Sequence, residues 1–253
     1  MPEAAIARLI EGRAEGILLM HGFSGSPLEM VPLAEALGEA GWTVAIARLA
    51  GHDSPRMLAG ATAEDWVRSG AAAYAALRRR CGRAAVVGLS MGGAVGLVLA
   101  PELRPAAVVA ISTPVRMKRL IARASRIAAR VVPYVPVLMK LGPRERGMRP
   151  YRSPARRIPL RAAAEVERLL EMMRRALQRV RAPVLVVQGR RDWIIPRESG
   201  PEIAAATRGS LLWLPRSGHV ATLDRDRRVL YREVTGFLRR HLDRTEGGDG
   251  PAG

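Results

Sequence analysis

Residues 84–100 read AAVVGLSMGGAVGLVLA. Ala85-Val86-Val87 is an apolar, β-branched run of the strand type, and Ala94, Val95, Leu97, Val98 and Leu99 suit a buried helix. Between them, Gly88-Leu89-Ser90-Met91-Gly92 spells G-x-S-x-G. The chemistry explains the spacing. A serine at the apex of a sharp strand-to-helix turn sits in a strained backbone, and its flanking glycines remove the β-carbons that would collide there. Its hydroxyl then stands free at the carboxyl edge of a sheet. The pentapeptide is short enough to recur by chance, so its flanks and its chemical partners must carry the reading. A glycine-rich turn with a locally bonded serine is the alternative that those partners outweigh.

Composition bounds the rest. At 253 residues and 48% hydrophobic, the chain can bury one large core, or a core plus a lid. The single cysteine, Cys81, excludes an intrachain disulfide. The opening MPEAAIARLIEGRAEG carries acidic residues and no long apolar run of the signal-peptide kind, which predicts a cytoplasmic protein. The longest apolar stretch is broken by Gly92, Gly93, Gly96 and Pro101, so no transmembrane segment is expected.

A net charge of +18 suggests nucleic acid at first sight. Its distribution argues otherwise. Val115 to Arg181 holds 19 Lys and Arg against 4 Glu, which is +15 of the +18, and only Tyr134 and Tyr151 there offer rings for base stacking. Arginine outnumbers lysine 39 to 2, a bias of the whole chain. No nucleic-acid partner is expected. Weak contact of this basic face with an anionic lipid surface is a further option, set against a solvated surface with no partner.

Taken in order, Gly16 to Met20 predicts a buried strand, and His21-Gly22-Phe23-Ser24-Gly25-Ser26 a glycine-rich loop, with Pro27 opening a helix to about Ala40. Acyl transfer needs two backbone N–H groups aimed at the developing oxyanion, one after the nucleophile and one from a loop after an earlier strand. The candidates are the amides of Met91 and Phe23. Thr43 to Leu49 predicts another strand, and Gly51-His52-Asp53-Ser54-Pro55 a loop. His52 and Asp53 are adjacent on that loop, where side chains seldom converge, so they are read as holding it by local hydrogen bonds. Thr62-Ala63-Glu64-Asp65 starts a helix, and Ala106 to Ser112 is a further strand.

The alternation then breaks. Leu120, Ala124, Ile127 and Val131 share one helical face that ends near Pro133, and Val166, Leu169, Leu170, Met173, Leu177 and Val180 another, with prolines at 136, 143, 150, 154 and 159 between. Residues 115–181 thus predict a helical cap over the sheet's carboxyl edge. The core is then 1–114 with 182–244, and 245–253 a disordered tail. Leu138, Met139, Leu170 and Met173 from the cap, with Ile194, are expected to line the acyl site. Pro183 to Gly189 and Ser210 to Leu214 are the closing strands, and Asp224 to Arg240 the last helix.

Elimination finds the partners of Ser90. After a nucleophile elbow, the acid and then the base follow in chain order. Only His219 and His241 come after Ser90, and His241 ends a charged helix, whereas His219 sits in a glycine-containing loop after a strand. Between Ser90 and His219 the one aspartate is Asp192, again just after a strand. Glu198 and Glu202 fall in the next helix. His219 is thus the expected base and Asp192 the residue that fixes its tautomer.

The stretches HGFSGSP (21–27), GHDSP (51–55), GLSMGG (88–93), APVLVVQGRRDWIIP (182–196) and RSGHVATLD (216–224) together resemble the bacterial carboxylesterase and monoacylglycerol lipase family of the α/β-hydrolase superfamily. The resemblance implies an α/β-hydrolase fold with a mostly parallel central sheet flanked by helices and a cap inserted after the strand at 106–112. It places nucleophile, acid and base on Ser90, Asp192 and His219 and the oxyanion amides on Phe23 and Met91. The implied activity is hydrolysis of carboxylic esters or monoacylglycerols without metal or cofactor. Thioester hydrolysis, acyl transfer and a non-turnover ligand receptor remain the alternatives on the same scaffold.

Overall fold

The computed structural model describes residues 5–117, 133–136 and 145–243. The apolar runs become strands: β1 Ile6–Ile10, β2 Arg13–Met20, β3 Trp42–Ala47, β4 Arg83–Leu89, β5 Val108–Ile111, β6 Tyr134–Pro136, β7 Arg157–Pro159, β8 Val184–Gly189 and β9 Ser210–Leu214. Seven of them form one sheet in the order β1-β3-β2-β4-β5-β8-β9, parallel except for β1, which runs antiparallel to β3. A parallel strand needs cover on both faces. The alternation of side chains supplies it. Leu18, Met20 and Val86 face one way, into a cluster with Trp66, Val95 and Met173. Ile17, Leu19 and Val87 face the other, into a cluster with Leu33, Leu37, Val234 and Leu238.

Helices α1 Val31–Glu39, α2 Pro55–Gly60, α3 Ala63–Arg78, α4 Met91–Leu103, α5 Leu160–Leu177, α6 Ser199–Thr207 and α7 Arg227–Leu242 supply those layers. Helices α1 and α7 cover the second face, and α3, α4 and α5 the first. Local chemistry sets their starts. Thr62 caps α3 in a reciprocal box with Asp65, and Pro27 opens a 3-10 turn, Pro27–Met30, that runs into α1. Among the described residues no helix is long and apolar enough to cross a membrane.

Three features differ from the sequence reading. Strand β1, where the sequence reading assigned no element, extends the sheet, pairing Leu9 with Ala45 and Ile10 with Val44. The loop after Asp53 contains α2, whose cap Ser54 accepts the Met57 amide at 3.2 Å. The third concerns the segment between β5 and β8, read as cap throughout. These strands are parallel neighbours, so a crossover helix must connect them. Helix α5 takes that place and packs on α4 within the same buried cluster as the sheet. The short antiparallel pair β6–β7 precedes it. The expected helical face of Leu120, Ala124, Ile127 and Val131 lies outside the described residues, as do Leu138, Met139 and the tail 245–253.

Candidate active site

Strand β4 ends at Leu89, and α4 begins at Met91. Ser90 between them has φ 53° and ψ −113°, a left-handed φ that costs energy for any residue with a β-carbon. The surroundings hold it there. The Ser90 amide donates to the Ile111 carbonyl of β5 at 2.7 Å. A β-carbon on Gly88 would run into the backbone of Gly92 and Gly93, and one on Gly92 into the Met20 carbonyl. The glycines of the motif are therefore steric requirements of the turn.

Three strand ends converge on the Ser90 hydroxyl. His219, after β9, places Nε2 3.0 Å from Ser90 Oγ, and its Nδ1 stands 2.8 Å from Asp192 Oδ2, after β8. A carboxylate only accepts, so the proton on the ring sits at Nδ1 and leaves Nε2 free to accept from Ser90. Asp192 has no exposed side-chain surface. Its other oxygen accepts the amides of Ile194 at 2.9 Å and Ile195 at 3.4 Å, which orients it toward the histidine. Glu198 is the N-cap of α6 and Glu202 lies in its first turn, where Glu202 pairs with Arg116.

Two carboxylates brace the histidine loop. Asp224 Oδ2 accepts the Gly218 amide at 2.7 Å. Asp226 accepts the Arg216 amide at 2.6 Å, the Arg216 guanidinium at 2.8 Å and the Ser217 hydroxyl at 3.1 Å. Burial pushes the Asp226 carboxyl up, but these donors outweigh it and hold the group below its ordinary range. The order of residues along the chain gave no sign of this second layer, apart from the TLD stretch that contains Asp224.

The loop after β2 lies beside Ser90: a β-carbon on Gly22 would stand 3.5 Å from Ser90 Cβ. Among the described residues neither the Phe23 nor the Met91 amide is taken up by a hydrogen bond. The Phe23 ring packs edge-on against Trp66, with centroids 5.9 Å apart. His21 supports the loop from within. It is fully buried against His52, and burial, reinforced by His52, drives its pKa down to about 3, so the ring is neutral.

His52 and Asp53 diverge. His52 Nδ1 donates to the Leu49 and Ala50 carbonyls, while Asp53 pairs with Arg48 at 3.0 Å. Leu170 and Met173 were expected to line an acyl site. Both are fully buried in the packing of α5 on α4, so the structure gives them a core role and no open wall. Ile194 is partly exposed beside Asp192. Among the described residues no cluster of three or more His, Cys, Asp or Glu side chains is placed to hold a metal ion.

The sequence matches the profile of the Alpha/beta hydrolase family over residues 17–232. The chain belongs to this family. The α/β hydrolase is 30% identical over 233 residues to the thermostable monoacylglycerol lipase of Bacillus sp. (strain H-257), covering 89% of this chain and 91% of that protein. It is 26% identical over 234 residues to the carboxylesterase of Bacillus subtilis (strain 168), covering 90% and 94%. Among solved structures, one described with LipS and LipT, two metagenome-derived lipolytic enzymes, superposes with a TM-score of 0.85 at 32% identity, over 94% of this chain and 98% of that one.

Proposed function

We propose that Ser90, His219 and Asp192 form a catalytic triad that cleaves carboxylic esters through an acyl-enzyme. The protein is an ester hydrolase, and the observation that supports this mechanism is the unbroken relay from Ser90 Oγ through the His219 ring to Asp192, at 3.0 and 2.8 Å. His219 Nε2 takes the hydroxyl proton as Ser90 Oγ bonds to the ester carbonyl carbon. The carbonyl π electrons move to oxygen, and the amides of Phe23 and Met91 stabilise that charge. Collapse expels the alcohol, which leaves with the proton from Nε2. Water then repeats the sequence on the acyl-enzyme, giving the carboxylic acid and restoring Ser90. Asp192 keeps its charge throughout and stabilises the imidazolium.

The substrates we assign are acyl esters of short and medium chain, monoacylglycerols included; the two Bacillus relatives are named a monoacylglycerol lipase and a carboxylesterase. Of the segment 115–181, the described residues before α5 are the ones we assign to covering the site. Ser153, within that segment, already touches the Ser24 carbonyl of the loop after β2. The test is a panel of p-nitrophenyl esters, monoacylglycerols and one acyl-thioester against wild type and Ser90→Ala, with fluorophosphonate labelling mapped by mass spectrometry. One label at Ser90 and loss of about 10⁴-fold or more of ester turnover in the alanine variant are expected. An active alanine variant refutes the assignment, and a preference for the thioester would move the substrate class.

A further inference from the structure

The loop that carries Phe23 is held by a group the proposed reaction does not use. Residues 22–26 turn back on themselves through Ser24, whose φ of 53° is left-handed, and Gly25, whose amide donates to the Gly22 carbonyl at 3.0 Å. The following 3-10 turn brings Glu29 underneath. Its carboxylate lies against Gly25, where it leaves no space for a β-carbon, and it is buried. The backbone N–H groups of Ser153, between β6 and β7, and of Ser26 on the loop act on this carboxyl and oppose the effect of its burial. Ser153 in turn donates its hydroxyl to the Ser24 carbonyl at 2.7 Å. Two stretches far apart in the chain thus meet, joined by the Ser153–Ser24 hydrogen bond, directly beside the proposed oxyanion donor.

We propose that Glu29 is a positioning residue: its carboxylate clamps the loop 22–26 to the Ser153 segment and so fixes where the Phe23 amide points. The proposal rests on the assignment of that amide to the oxyanion hole. The residue type fits the task. A carboxylate accepts at both oxygens and can hold N–H groups from two segments at once, whereas a glutamine would turn an NH2 toward one of the two donors. Burial pushes the Glu29 carboxyl up to about 7, opposed by the Ser153 amide, His219, the Ser26 amide and Arg152. Among the described residues, the charged or titratable side chains that act on it are His219, in the loop after β9, and Arg152, beside Ser153. The clamp therefore tightens as pH rises through about 7, when the second oxygen becomes a full acceptor.

The test is kcat and KM for p-nitrophenyl butyrate between pH 5.5 and 8.5 in wild type, Glu29→Gln, Ser153→Ala and Ser90→Ala. A single well-placed oxyanion donor contributes about 10²–10³ in kcat. Loosening one without removing it predicts a fall of about tenfold for Glu29→Gln at pH 8, with KM within about twofold, because the lost contact matters chiefly in the transition state. The ratio of wild type to variant should shrink toward one near pH 5.5, where Glu29 is protonated and resembles glutamine. A purely architectural role gives no such convergence. If Ser90→Ala stays active, the triad reading fails and the clamp with it. If Ser90→Ala is inactive while Glu29→Gln keeps wild-type kcat at pH 8, the clamp alone is overturned. Should Glu29→Gln not fold, Ser153→Ala decides: a kcat reduced about threefold or more supports the clamp, and an unchanged kcat refutes it.

Discussion

Replacing Glu29 by glutamine should make the protein progressively more stable relative to wild type as the pH is raised from 5 to 8. Burial moves this carboxyl from its ordinary 4.5 to about 7 in the folded chain. A group whose folded pKa is raised favours folding fully below its unfolded value, and that contribution is lost as pH rises through the folded one. Each pH unit between the two values is worth about 1.4 kcal/mol, so full ionisation of Glu29 costs the fold about 3 kcal/mol. About 2.5 kcal/mol of this develops between pH 5 and pH 8, and glutamine, which does not ionise, escapes it. The assay is urea denaturation of both proteins at four pH values across this range. The difference between them at each pH cancels the other titrating groups. In thermal scans the same change corresponds to about 5–10 °C for a chain of this size. A difference that stays constant within about 0.5 kcal/mol from pH 5 to pH 8 would show that Glu29 is not a buried, strained carboxylate, and the physical argument would fail.

Other substitutions test the site and its support. Asp192→Asn should lower kcat by about 10⁴-fold, no more than His219→Ala does, since the carboxylate orients the base without moving a proton; full activity in Asp192→Asn beside a dead Glu198→Gln would relocate the acid. Leu170→Ala should cost about 2–5 kcal/mol in urea denaturation, because the side chain is fully buried on α4, and a loss below 1 kcal/mol would contradict that packing. Gly92→Ala should abolish soluble expression or turnover, as its β-carbon meets the Met20 carbonyl; an active, normally folded variant would refute the steric account of the elbow.

The elbow was legible because its chemistry is local: a strained serine demands glycines at fixed spacing, and a buried parallel strand demands a continuous apolar run, so Val86 to Gly92 announces both. The proposed partners Asp192 and His219 were reached by elimination because two histidines follow Ser90 and one aspartate lies between Ser90 and His219. The sequence also marked the amides of Phe23 and Met91 as the proposed oxyanion donors, through the loop and elbow that hold them. What one dimension could not contain is who meets whom. Strand β1 was missed because its five residues pair only with distant β3. Leu170 and Met173 carry a helical apolar face, and periodicity cannot say whether such a face closes a core or lines a cleft; their burial on α4 decided it. Neither Glu29 nor Asp226 was singled out in the sequence, and Asp224 stood out only as the end of RSGHVATLD. They became structural only when folding placed backbone amides of Ser153, Gly218 and Arg216 against them. Sequence by itself determined the turn that carries Ser90 and the order of the candidate groups, because those depend on steric limits and residue identity within a few positions. The tertiary structure alone decided which buried carboxylates hold them in place, because a hydrogen bond between segments 129 residues apart, such as Ser153 to Ser24, exists only once the chain has folded.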